Sequence, residues 1–227
     1  MQKNEGLAES SVGPFSSRPP ILWDRHTQER MLSNLLRPSL GVRGSKLCAR
    51  ALLERFGSLP QVLAAPAKLV MEIEGIGVKT ASHLALTLSI AQHVAKDNLL
   101  NDRPILSSWS ELIEYCRAAM AFESVEQLRI LFLDRKNRLI IDEVMQVGTV
   151  DHTQVYPREV VRRSLDFSAS AIILVHNHPS GDPSPSAADV RMTREIEEAA
   201  KPLRITLHDH IIVGRNGHRS LRGLKLI

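Results

Sequence analysis

The chain has 227 residues, 43% hydrophobic and 24% charged, the proportions of an ordinary globular protein, which excludes wholesale disorder, collagen and fibrous repeats. No apolar run approaches the ~18 to 20 residues of a membrane span and no apolar stretch follows a basic N-terminus, so a cytosolic protein without membrane contact is expected. The net charge of +4 lies wholly in residues 1–100, with 12 Lys/Arg against 8 Asp/Glu, while the rest balances at 17 of each; any polyanion is therefore expected on the first half.

Residues 1–20, rich in Ser, Gly and Pro, read as a flexible tail. Residues 21–95 read as a small all-helical domain, with helices over Gln28–Leu36, Ser45–Phe56, Leu59–Ala64, Ala67–Ile73 and Val78–Gln92 and Gly or Pro at each break. Within it, Glu74-Gly75-Ile76-Gly77-Val78-Lys79-Thr80-Ala81 resembles a helix-hairpin-helix motif. Gly75, Gly77 and Lys79 are thus candidate contacts to DNA phosphates, although the same glycines also suit the tight turn of a packed helix pair. Apolar periodicity fades over 93–104 and an Arg-Pro closes that stretch, so residues 96–104 are expected to form a linker.

From residue 105 to 227 the pattern becomes α/β. A helix over Ser110–Ala121 precedes two strands, Gln127–Leu133 and Leu139–Val147, joined by the polar turn 134–138 as a hairpin. A helix over Arg158–Phe167, a strand over Ala171–Val175, a helix over Ala187–Ala200 and a strand over Ile205–Val213 follow. The run Ala171-Ile172-Ile173-Leu174-Val175 is apolar throughout, which predicts a central strand covered on both faces.

Directly after that strand stand His176-Asn177-His178-Pro179-Ser180-Gly181. Side chains at i and i+2 of an extended chain share a face, so both imidazoles can converge on one ion, and the Pro/Gly-rich loop can return Asp189 to them from the first turn of the next helix. Two imidazoles and one carboxylate leave a tetrahedral position open, as expected of one catalytic zinc per chain. A general base is also required. Alternation puts Glu143 in an apolar row with Leu139, Ile141, Met145 and Val147, which makes it the candidate, with an ion pair to Arg129 or Arg158 as the competing structural role. Cys48 and Cys116 lie in separate segments without metal-ligand spacing and read as packed thiols. Around His208-Asp209-His210, alternation separates Asp209 from the two histidines; Asp209 or His210 is a candidate support for the metal site, and ordinary strand residues are the alternative.

The spacing His176-x-His178, Ser186, Asp189 resembles the JAMM signature of the JAB1/MPN metalloproteases. With Gly148-Thr149, Tyr156-Pro157-Arg158-Glu159 and Asp209-His210-Ile211-Ile212, residues 105–227 resemble the bacterial RadC branch. The resemblance implies a JAB1/MPN-type, cytidine-deaminase-like mixed sheet flanked by helices. It also implies zinc on His176, His178 and Asp189, Glu143 as general base, and Ser186 as a donor to the oxyanion. Ser186-x-x-Asp189 equally fits a helix capping box. The expected function is a zinc-dependent peptidase or isopeptidase acting on a peptide or protein. The alternative is a DNA-binding or DNA-repair accessory protein whose metal site is structural or vestigial. A zinc nucleobase deaminase is disfavoured, since its His-x-Glu and Pro-Cys-x-x-Cys pattern is absent.

Overall fold

The computed structural model describes residues 23–100, 104–148 and 155–227; the expected tail, Gly148-Thr149's threonine and the loop after it lie outside them. Helix α1, Arg25–Phe56, begins where the Asp24 carboxylate accepts the Thr27 backbone N–H at 2.8 Å, a side-chain cap for an otherwise orphaned donor. It is broken at Gly41, whose φ of 67° a side chain would resist, three residues beyond Pro38. The two helices expected from the sequence are the two limbs of this kinked one. Short helices α2, Leu59–Ala64, and α3, Ala67–Val70, lead through the Gly75 turn (φ 85°) into α4, Val78–Leu100. Leu32, Leu36, Leu52, Leu53, Val62, Ile76 and Leu84 form the core of this helical region.

Residues 96–100 are not the expected linker: they are the last turns of α4. Leu99 is buried in the second core with Ala95 packed against it, at the i, i+4 spacing of one helix face. Gln92 also donates to the Ala118 carbonyl at 2.9 Å. Tertiary packing thus outweighs the weak local periodicity, and α4 supplies Ala81 and Leu84 to one core and Leu99 to the other.

After a 3₁₀ turn at Ile105–Ser108, the chain forms α5, Trp109–Met120, then β1, Glu126–Leu133, and β2, Leu139–Gly148. Helix α6, Pro157–Asp166, strand β3, Ala171–Asn177, helix α7, Ala187–Ala200, and strands β4, Thr206–Gly214, and β5, Gly217–Ser220, complete the fold. The sheet order is β2-β1-β3-β4-β5, with β3 and β4 parallel and every other pair antiparallel. Strand β5 was not expected; its four residues carry no apolar alternation. All seven residues of β3 are buried, as a central strand requires. One sheet face, with Leu131, Ile173 and Val175, packs on α5, and the other, with Ile130, Phe132 and Leu174, packs on Val160 of α6 and Ile196 of α7. Each such aliphatic side chain contributes roughly 1.5–3 kcal/mol by burial, so the strand that runs into the histidine pair is held from both faces.

Candidate metal centre

The buried strand β3 runs directly into His176-Asn177-His178. His176 and His178 turn to the α7 side of the sheet, their Nε2 atoms 2.8 Å apart. Asp189, in the first turn of α7, places its carboxylate oxygens 3.5 Å from His176 Nε2 and 3.8 Å from His178 Nε2. One ligand-type atom from each of the three lies within 4.8 Å of the others, the sole such group of three His, Cys, Asp or Glu among the described residues.

The loop between is fixed by its turn chemistry. The His178 backbone N–H donates to Val213 O, and Gly181, at φ 94°, returns the chain. A Cβ on Gly214 would stand 2.4 Å from Gly181 O, so only glycine allows the β4–β5 turn to back this loop. Ser186 is the N-cap of α7: its Oγ accepts the Asp189 N–H at 3.1 Å, while Asp189 Oδ2 accepts the Ser186 N–H at 2.6 Å. The capping box is therefore present, and it does not exclude the chemical roles. It points the Asp189 carboxylate at the histidines and leaves the exposed Ser186 hydroxyl proton free to donate.

The donor chemistry fits a divalent ion of borderline softness. His178 Nδ1 lies 2.8 Å from the Asp182 carbonyl; a carbonyl only accepts, so Nδ1–H donates to it and Nε2 is the ring atom turned to the cluster. Burial holds His176 neutral, bringing it down to about 4 against an upward pull from Asp189 and a downward push from His178. Two imidazoles and a carboxylate suit zinc.

Behind His176 a second layer follows. His176 Nδ1 meets His210 Nε2 at 2.7 Å, His210 Nδ1 meets Thr193 Oγ1 at 2.6 Å, and Thr193 Oγ1 donates to the Asp189 carbonyl at 2.5 Å. His210 is fully buried and held well below its ordinary range, first by burial and then by the neighbouring histidines. His208 does not join it. A register shift in the β3–β4 pairing at this point turns His208 away to Asn137 Oδ1, 2.7 Å off. Asp209 faces the other way, accepting from Ser220 Oγ at 2.5 Å and the Arg222 N–H at 3.0 Å.

Glu143 is elsewhere. Both its oxygens accept from Arg163 of α6, Nε at 2.9 Å and Nη2 at 2.8 Å. In the register it stands opposite Ile130, itself opposite Leu174, two strands across from β3 and one same-face step inward of His176. The apolar row in β2 hid this pairing, to a helix the strand pattern does not display. The competing ion pair is the one formed, with Arg163 rather than Arg129 or Arg158. Arg129 instead pairs with Asp142 on the opposite face.

The register brings up another carboxylate. Leu128 stands opposite His176, so Glu126, two residues before it, shares that face at the end of β1 that meets His178. Asn177, buried between the two histidines, clamps the backbone on both sides of Glu126: its Oδ1 accepts the Gln127 N–H at 2.8 Å and its Nδ2 donates to Val125 O at 3.1 Å. Sequence reasoning passed over Glu126 because it lies one residue outside the expected strand. An acid opening a strand was the only signal, and it acquires meaning only through the pairing of β1 with β3.

Residues 106–226 match the family model described as RadC-like JAB domain. The chain belongs to that family. The match begins just before α5 and runs past β5, so it covers the whole sheet and the His176, His178, Asp189 cluster. JAB domains often bind zinc, in keeping with the donor set described above. No helix among the described residues of this RadC-like protein is long and apolar enough to cross a membrane.

Proposed function

We propose that this RadC-like JAB domain is a zinc-dependent hydrolase of the JAMM type that cleaves a peptide or isopeptide bond with one zinc per chain. The observation that carries the reading is the convergence of His176, His178 and Asp189 at the mouth of a fully buried strand. His176 and His178 hold the ion through Nε2 and Asp189 through its carboxylate. Zinc bound there supplies a Lewis acid that polarises a carbonyl and acidifies water. Glu126 accepts a proton from the attacking water and passes it to the leaving amine, a task for which the Asn177 clamp fixes its backbone. Ser186 donates its hydroxyl proton to the oxyanion while its lone pair stays on the Asp189 N–H. Glu143 holds α6 against β2 through Arg163 and takes no part in the chemistry.

Elemental analysis tests the metal. Wild type is expected to carry about one zinc per chain and the His176→Ala/His178→Ala double variant none; equal metal in both ends the reading. A peptide-library cleavage screen of the zinc-loaded protein then tests the reaction.

The helical region supports a second, separate reading as a DNA contact. Gly75 to Gly77 make the turn that opens α4, Ile76 is anchored in the core, and Lys79 stands in the first helical turn. A turn of this kind reaches phosphates and not base edges, so binding should be weak, indifferent to sequence and strongly weakened by salt. Salt titration of the full chain on several unrelated duplexes, with Lys79→Glu as comparison, measures it. No binding at low salt removes DNA from the function.

A further inference from the structure

The hydrogen-bond chain behind His176 has a direction that the positions of its atoms decide. Thr193 Oγ1 has one proton and two close partners, the Asp189 carbonyl at 2.5 Å and His210 Nδ1 at 2.6 Å. The carbonyl can only accept, and two oxygens at that separation require a proton between them. The threonine proton therefore goes to Asp189 O, and Oγ1 must accept from His210 Nδ1–H. Neutral His210 then has a bare Nε2, which accepts from His176 Nδ1–H at 2.7 Å. His176 is left with its lone pair on Nε2, the atom that faces His178 and Asp189. All three groups of the chain are fully buried or nearly so, and water cannot substitute for a missing partner.

We propose that Thr193 and His210 are positioning residues which set the tautomer of His176, so that the nitrogen facing the cluster is always the metal-binding one. The inference rests on the reading of His176, His178 and Asp189 as metal ligands. The chain does a second job through the same hydroxyl. Because Thr193 bonds the main-chain oxygen of Asp189, it ties the ring orientation of one ligand, carried by β3, to the helical turn that carries another. Ligands on separate elements are thereby held in mutual register, as outer partners of metal-bound histidines commonly do.

Removing the hydroxyl reverses the polarity. In Thr193→Val, His210 Nδ1–H would be a buried donor without a partner, at a cost the ring avoids by moving its proton to Nε2. His210 then donates to His176 Nδ1, and the proton of His176 is forced onto Nε2, where it opposes a cation. Two measurements read this. Nitrogen-15 NMR of the metal-free protein reports the protonated nitrogen of each ring: Nδ1 on His176 and His210 in wild type, Nε2 on both in Thr193→Val. Competition of the protein with a chromophoric chelator for zinc should show an affinity about 10- to 100-fold weaker in the valine variant. Thr193→Ser, which restores the hydroxyl, should return both to wild-type values. Identical nitrogen-15 patterns and equal zinc affinities in wild type and Thr193→Val overturn the proposal. A wild type that binds no zinc would defeat the metal reading, while the metal-free tautomers would still decide the role of Thr193. If Thr193→Val melts cooperatively and Thr193→Ser fails to restore the Nδ1 protons, the relay is likewise rejected.

Discussion

The two faces of one sheet hold two buried polar clusters that are finished in opposite ways. On the α5 face, Asp142 has no exposed side-chain surface and is surrounded by Lys96 from α4, Tyr115 from α5 and Arg129 from β1. Although burial pushes its carboxyl up, these partners outweigh it and hold it below the ordinary range. On the α7 face, His176, His178 and Asp189 turn metal-ligating types of atom toward one another with no Lys or Arg among the described residues paired to them. A buried anion met by cations is complete and structural, and a carboxylate that meets two imidazole nitrogens is a set of ligands for an ion. Burial alone does not mark a functional site; the sign of what surrounds the buried group does.

The largest effect is expected at the carboxylate assigned to the open cluster. Glu126→Gln should lower hydrolysis by about 10²–10⁴-fold, the usual contribution of a general base, with zinc content and melting temperature kept. Retained activity in a folded, zinc-loaded variant would return the search for the base to its start. In the closed cluster, Asp142→Ala leaves the partly exposed Lys96 and Arg129 and the buried Tyr115 hydroxyl without their acceptor and should cost about 1–3 kcal/mol of stability, read from urea unfolding. Zinc affinity of the folded fraction should not change; if it fell in parallel, the two faces would not be independent.

Acid sharpens the contrast in another way. His176 sits at about 4 in the folded chain against 6.5 when unfolded, and His210 is lowered in the same direction. The unfolded state therefore binds more protons, so this contribution to stability is complete above pH ~6.5 and is lost as pH falls from there toward ~4. Thermal melts of the metal-free protein across that range should decline, and a flat profile would mean the histidines are not buried neutral. The smallest effect belongs to Glu143→Gln. Its pair with Arg163 is about a third exposed on each side and is worth at most about 1 kcal/mol. Hydrolysis should be unchanged, and an inactive but stable variant would restore Glu143 as the base in place of Glu126.

Much of this was legible in the order of residues. The apolar run 171–175 specified a buried strand, and the spacing of His176, His178 and Asp189 specified a cluster, because alternation along a strand and a loop closed by Pro and Gly are local rules. Helix α7 falls on the residues its pattern indicated, Ala187–Ala200. The failures share one cause. Residues 96–100 lack strong periodicity, yet Leu99 finds the second core and Lys96 finds Asp142, so the helix runs on.

What the sequence determined by itself was therefore the local chemistry: which strand is buried, which side chains point together at its end, and which turn sends the chain back. Tertiary structure alone decided the partners. Whether a carboxylate in an apolar row is a base or half of an ion pair depends on Arg163, twenty residues away on α6. Whether Glu126 can serve depends on β1 pairing with β3 so that Leu128 meets His176. The tautomer of His176 depends on a threonine one helix away. Alternation and helical periodicity are properties of neighbouring residues, whereas charge compensation and proton direction belong to groups that meet only when the chain has folded.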